Sequence, residues 1–82
     1  MRLDKFLKVS RLIKRRTVAN EVSDSGRVLV NSNPAKPSKQ LKEGDIIEII
    51  YANHIIKVQI VKVPTCAVSV QQAKDLYRIL EN

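Results

Sequence analysis

Apolar and polar positions follow two different periods along this chain, and the change of period divides it. Leu3, Phe6 and Leu7 fall on one side of a 3.6-residue repeat, and Leu12 and Ile13 carry the apolar content about two turns further. Residues 1–17, MRLDKFLKVSRLIKRRT, therefore read as helical. On an unbroken helix Lys5, Lys8, Arg11 and Arg15 would form one basic stripe. A break at Ser10 would instead redirect Arg11 to Arg16, and periodicity does not choose between the two. Thr17 is a good N-cap for a second short helix from Val18 to about Ser25, with Ala19 and Val22 facing inward. Gly26 is expected to close that helix in the left-handed conformation.

After Gly26 the period shortens to two. Arg27 to Val30 reads as a short strand, Asn31-Ser32-Asn33-Pro34 as a turn, and Ala35 to Ser38 as a returning strand confined to an edge by Pro34 and Pro37. Gly44-Asp45 turns the chain into a strand from Ile46 to Tyr51. Ala52-Asn53 is a tight turn before a strand from His54 to Val63, ended by Pro64. In that strand Ile56, Val58 and Ile60 share one face, while Lys57 and Gln59 share the other. Ser69 with Gln72 has the form of a capping box. It introduces a helix from Val70 to about Glu81, with Ala73, Leu76, Tyr77 and Leu80 at core spacing. The expected architecture is α+β: two short N-terminal helices packed on a small, mostly antiparallel sheet, plus a C-terminal helix.

Charge changes the picture. The net charge is +7, and its distribution is uneven. Between Met1 and Arg16 there are seven cations (Arg2, Lys5, Lys8, Arg11, Lys14, Arg15, Arg16) and one anion, Asp4. From Thr17 to Asp45 four cations balance four anions, and the remainder contributes +1. A solubility charge would be spread along the chain, whereas a local field of one sign calls for a polyanionic partner. A helix that is merely solvated tends to mix signs. Four of the seven cations are arginine, whose planar fork suits phosphate. The cluster also runs into the N-terminus of the second helix, where free N–H groups and guanidinium groups together make a phosphate seat.

Catalytic chemistry finds little support. The 82 residues make one domain, 1–82, burying roughly 60 to 65% of the surface of its unfolded chain, too little for a deep cleft. His54 and Cys66 are each the sole residue of their type. Neither has a second ligand or redox partner in the sequence, and packed or solvated roles fit both better. The two glycines, Gly26 and Gly44, form no phosphate loop, and no carboxylate pair suggests a general acid and base. The chain is expected to be a non-enzymatic, cofactor-free monomer. A lone cysteine, the lack of a long apolar run and the lack of a signal-like start point to a soluble cytoplasmic protein without a membrane partner. Only three aromatics occur, Phe6, Tyr51 and Tyr77, with Phe6 and Tyr77 reading as core. A surface that stacks single-stranded bases needs more exposed rings, so folded or duplex RNA, gripped by its backbone and shape, is the better match.

These residues also resemble a known family. Arg2-Leu3-Asp4-Lys5-Phe6-Leu7, Ser10-Arg11-Leu12, Arg15-Arg16-Thr17-Val18-Ala19, Gly26-Arg27-Val28, Val30-Asn31 and Gly44-Asp45 look like the S4 RNA-binding domain. The likeness covers residues 1–51 as the motif core, leaving 52–82 as a hairpin strand and helix. A free-standing copy resembles the ribosome-associated heat-shock type, and still more the RqcP type found in Firmicutes. That resemblance implies binding to 23S rRNA and peptidyl-tRNA on obstructed large (50S) ribosomal subunits. It further implies stabilisation of the tRNA in the peptidyl site, in support of C-terminal tailing of the nascent chain by an RqcH-like partner. Carried over by position, Arg2, Lys5, Arg11, Arg15, Arg16 and Thr17 would contact RNA, with Lys8 and Lys14 in the same basic segment. Arg27, Lys36, Ser38 and Lys39 would add a second edge. Asp4 would orient Arg2 or a neighbouring cation, and Gly26, Asn31, Gly44 and Asp45 would shape the fold. One departure is Val30-Asn31-Ser32 where the family has Val-Asn-Gly.

Two rival readings use the same charge. A DNA binder would place residues 17–25 in a major groove, but that segment carries Glu21 and Asp24 and no cation. A module docking an acidic protein or an anionic membrane would use the basic face beside Leu3, Phe6 and Leu7. RNA binding through about six phosphates makes a quantitative forecast. Affinity should fall by about three powers of ten between roughly 50 and 200 mM salt, read from a salt titration of RNA binding. A flat salt dependence would remove the phosphate reading.

Overall fold

A computed structural model of the chain describes residues 1–50, 55–64 and 70–81. Tyr51, the Ala52-Asn53 turn, His54, Cys66 and the Ser69 cap lie outside the described residues. The elements run α1 (Leu3–Val9), α2 (Arg16–Asp24), β1 (Val28–Val30), β2 (Asn33–Pro34), β3 (Ile46–Ile50), β4 (Ile55–Ile60), α3 (Val70–Ala73), a 3-10 turn (Lys74–Leu76) and β5 (Tyr77–Glu81). The strands form one antiparallel sheet in the order β2-β1-β3-β4-β5.

The two-residue period of β3 and β4 fixes which sheet face is buried. Ile47 pairs with Val58 and Ile49 with Ile56, and Val28 and Val30 of β1 fall opposite Ile49 and Ile47. Val28, Ile47, Ile49 and Val58 are fully buried and meet Leu3, Phe6, Leu7 and Ala19 in one cluster. Burial of each larger side chain contributes about 1.5–3 kcal/mol. On the other face, Lys57 lies opposite Glu48 with Nζ 3.9 Å from a carboxylate oxygen. Ile50 and Ile55, also paired, remain exposed there.

The first helix ends at Ser10, so the basic stripe is interrupted. Ser10 is the C-cap, buried, with its hydroxyl donating to the Leu7 carbonyl at 3.3 Å. Arg11 follows with φ +62°, the left-handed position that normally goes to glycine, and its N–H donates to the Lys8 carbonyl. Ile13 is buried and donates its N–H to the Leu7 carbonyl, which pins the connection to the core.

The second helix starts earlier than capping chemistry suggested. Its N-cap is Arg15, with no side-chain cap, and Thr17 lies inside the first turn. The Arg15 carbonyl accepts from the buried Ala19 at 3.0 Å, so core contact sets the start rather than the Thr17 hydroxyl. Its C-terminus is a Schellman closure. Gly26 (φ +82°) donates to the Ser23 carbonyl and Arg27 to that of Val22.

Two other expectations are corrected. The returning strand is Asn33–Pro34, not Ala35 to Ser38, because the hairpin turn is only two residues long. Val30 pairs with Asn33 across Asn31 (φ +52°) and Ser32 (φ +70°), both left-handed as a type I′ turn requires. The C-terminal helix is likewise a short helix, a 3-10 turn and a strand. Ala73 and Leu76 are buried as helical spacing implies, but Tyr77 turns extended, and Leu80 is exposed rather than core. The open edge of β4 supplies partners for this segment, pairing Ile60 with Tyr77, Gln59 with Arg78 and Val58 with Ile79. Aromatic and β-branched residues fit that edge better than a helix. Among the described residues no helix is long and apolar enough to cross a membrane.

Ser32 occupies a conformation that favours glycine, so Ser32→Gly is expected to stabilise the fold by about 1 kcal/mol. Thermal unfolding should show a rise in Tm of about 4–8 °C.

Candidate nucleic-acid interface

Arg2, Lys5, Lys8, Arg11, Lys14, Arg15, Arg16 and Thr17 are all exposed, but they sit on three different pieces of backbone. Lys5 and Lys8 project from α1, where burial of Leu3, Phe6 and Leu7 turns them outward. Arg11 and Lys14 lie on the connection held by Ile13, and Arg15 and Arg16 stand at the start of α2. The first N–H groups of a helix lack intrahelical acceptors, and α2 has no side-chain cap. The residues expected to form a phosphate seat, Arg15, Arg16 and Thr17, are therefore together at the start of α2, with Arg16 inside its first turn.

Asp4 draws this region together. Its side chain is 3% exposed. One oxygen, Oδ1, accepts from the Lys5 N–H at 2.8 Å and lies 3.3 Å from Arg2 Nε. The other, Oδ2, lies 3.3 Å from Arg2 Nη2, 3.6 Å from Arg16 Nε and 3.4 Å from Asn20 Nδ2. Asp4 thus joins the first turn of α1 to the first turns of α2. Arg2 and Arg16 remain about half exposed, and Arg16 meets Asp4 through Nε, leaving its terminal nitrogens for an outside acceptor. A hollow of about 410 Å³ lies here, lined by Asp4, Arg16, Thr17, Asn20 and Glu21. Asn20 had not been singled out from sequence, although its four-residue spacing from Arg16 places both on one helix face.

The remaining nominated cations divide. Lys36, Ser38 and Lys39 are exposed on a turn closed by a 3.0 Å bond from the Lys39 N–H to the Lys36 carbonyl. That turn hangs from the start of α1: Leu3 and Asp4 donate their N–H groups to the carbonyls of Lys39 and Pro37 at 2.8 and 3.1 Å. Arg2 also bridges to Gln40, and the Leu41 N–H reaches the Met1 carbonyl. The lysine turn is therefore fixed beside Arg2. Arg27 is exposed but lies past the far end of α2, about 12 Å of helix from Arg16. Asn31 ties the hairpin to β3. Its Oδ1 accepts from the Ile46 N–H and its Nδ2 donates to the buried Asp45, which also accepts from the Lys42 N–H.

The chain thus opens with two short helices braced at a buried aspartate, in a fold with one antiparallel sheet. Residues 1–47 match the family model described as S4 domain, and the chain belongs to the S4 domain family. It is 46% identical over 81 residues to the RQC P-site tRNA stabilizing factor of Bacillus subtilis, covering 99% of this chain and 93% of that one. It is 49% identical over 79 residues to the protein of the same name from Halalkalibacterium halodurans, covering 96% and 89%. Among solved structures, the trimeric Heat Shock Protein 15 of Vibrio cholerae superposes with a TM-score of 0.87 at 32% identity, covering 96% of this chain and 80% of that one.

Removing the carboxylate by Asp4→Ala strips five donor groups, on four residues, of their acceptor. Chemical denaturation should show a loss of about 1–3 kcal/mol. Because both arginines are about half exposed, little of that loss comes from Coulomb attraction. Asp4→Asn, which keeps one acceptor oxygen, should lose less.

Proposed function

We propose that the chain is a non-enzymatic RNA-binding factor of ribosome-associated quality control. In this reading it binds the obstructed large ribosomal subunit in the cytoplasm and stabilises tRNA in the peptidyl site. The observation that carries RNA binding is the pair Arg2 and Arg16, held on Asp4 with their remaining donors outward beside an uncapped helix N-terminus. Charged forks fixed in advance bind phosphate without the cost of ordering long side chains. The particular job is supported by near full-length identity to relatives named for P-site tRNA stabilisation.

Arg15, Arg16 and Thr17 would take one phosphate, with Arg11 and Lys14 extending the contact along the connection. Lys5 and Lys8 would flank it from α1, and Arg2 would lead to the second edge at Lys36, Ser38 and Lys39. Arg27 would meet RNA only where the bound surface wraps the far end of α2. The RNAs would be 23S rRNA and peptidyl-tRNA, and the protein, acting as a monomer, would support C-terminal tailing by an RqcH-like factor. Its contribution would be geometric: two RNAs held in one orientation by a rigid basic edge.

Arg16→Ala should cut co-sedimentation with large subunits by about tenfold or more while leaving the free protein folded with a modestly lower Tm, since Asp4 keeps Arg2, Asn20 and the Lys5 N–H. Undiminished co-sedimentation of a folded Arg16→Ala protein would count against the proposal.

A further inference from the structure

A second concavity, of about 380 Å³, opens between the β1–β2 hairpin and the lysine turn. The geometry points to a seat for one extrahelical nucleotide of the bound RNA, an assignment that rests on the RNA reading above. The volume falls within the range of small-ligand pockets, about 300 to 1,000 Å³. The lining has the mixed chemistry of a nucleotide. Ala35 and the ring of Pro34 provide an apolar floor for a base. The methylene stems of Lys36 and Lys39 extend that apolar surface, and their ammonium groups meet the phosphate. Asn33 and Ser38 add polar groups to the lining, the chemistry needed at the edge of a base.

These groups are available. Asn33 donates one N–H to the Asn31 carbonyl at 3.2 Å, leaving its amide oxygen free to accept. Among the described residues neither Lys36 nor Lys39 has a carboxylate within ion-pair distance, and no acidic residue lines the crevice. The hollow beside Arg16 differs, since Asp4 and Glu21 line it. A base inside a duplex keeps its faces stacked and its pairing edge occupied, so only an unpaired, unstacked nucleotide can fill such a crevice.

Both walls are fixed before any ligand arrives. The hairpin wall is set by the Val30–Asn33 pairing and by Asn31 on Asp45 and Ile46. The lysine wall hangs from the N–H groups of Leu3 and Asp4. Because Asp4 also holds Arg2 and Arg16, the crevice and the phosphate seat share one rigid frame. Folded RNA with a base turned out beside a stem would therefore meet both contacts at once.

Amide mapping by NMR on the full chain separates the two contacts. The probes are two RNA hairpins, one with a continuous stem and one with a single bulged adenosine. Both should shift the signals of Arg15, Arg16 and Thr17, and only the bulged RNA should shift those of Asn33, Ala35, Lys36 and Ser38. The bulged RNA should also bind about tenfold more tightly, the size of one or two hydrogen bonds gained. Ser38→Leu, which fills the crevice from an exposed position, should bring that ratio close to one, and Asn33→Ala should lower it less. Silent crevice signals while Arg15 to Thr17 respond, or a ratio unchanged in a folded Ser38→Leu protein, would overturn the nucleotide seat alone. Silence in both regions with both RNAs would overturn the RNA reading together with it.

Discussion

A carboxylate almost removed from water has to be met by donors, and Asp4 is met by side chains from both helices and by the backbone of Lys5. Its burial comes from neighbouring Leu3, Phe6 and Leu7, which draw the first turn of α1 onto the sheet. Once buried, the charge demands cations, and the two that answer stand at the rim with part of their hydrogen-bonding capacity unspent. The core thereby sets the arrangement of the surface. The hydrophobic packing of α1 places Asp4, and Asp4 places Arg2 and Arg16.

The same first turn works in the other direction through its backbone. Helix N–H groups without an intrahelical acceptor are often left to water or to an anion. In α1 the N–H groups of Leu3 and Asp4 are occupied by carbonyls of the lysine turn, whereas α2 keeps an uncapped start. The two helix N-termini thus differ, one holding the lysine turn in place and the other lacking a side-chain cap. Left-handed Arg11 lets the chain pass from one helix to the other within a few residues, with Ile13 as the anchor.

Much of this was legible in the chain. Alternation placed β4 and its buried face, the Gly44-Asp45 turn placed β3, Gly26 marked the end of α2, and uneven charge marked the basic segment. What remained illegible had physical causes. Residues 73, 76, 77 and 80 fit a helical stripe, while Tyr77 and Ile79 equally fit a strand, and only the vacant edge of β4 decides between them. Thr17 is a better cap than Arg15 in isolation, yet the buried contact of Ala19 draws the helix start back. The charges of the candidate site could be counted, but not their brace. Asp4 and Arg16 are twelve residues apart, and their meeting depends on the angle at which the helices cross.

The join between the chain's first residues and the lysine turn has a kinetic meaning. The bond from Leu3 to Lys39 closes a loop of about 36 residues, while the hairpins of the sheet close over far fewer. Local pairings of this kind form early and distant ones wait for a surface to close upon. Of the basic surface, only the lysine turn depends on that distant closure, since Asp4 and Arg16 lie just twelve residues apart. A chain with that loop open would carry every arginine and lysine of the finished protein, but with Lys36 and Lys39 at no fixed distance from Arg2.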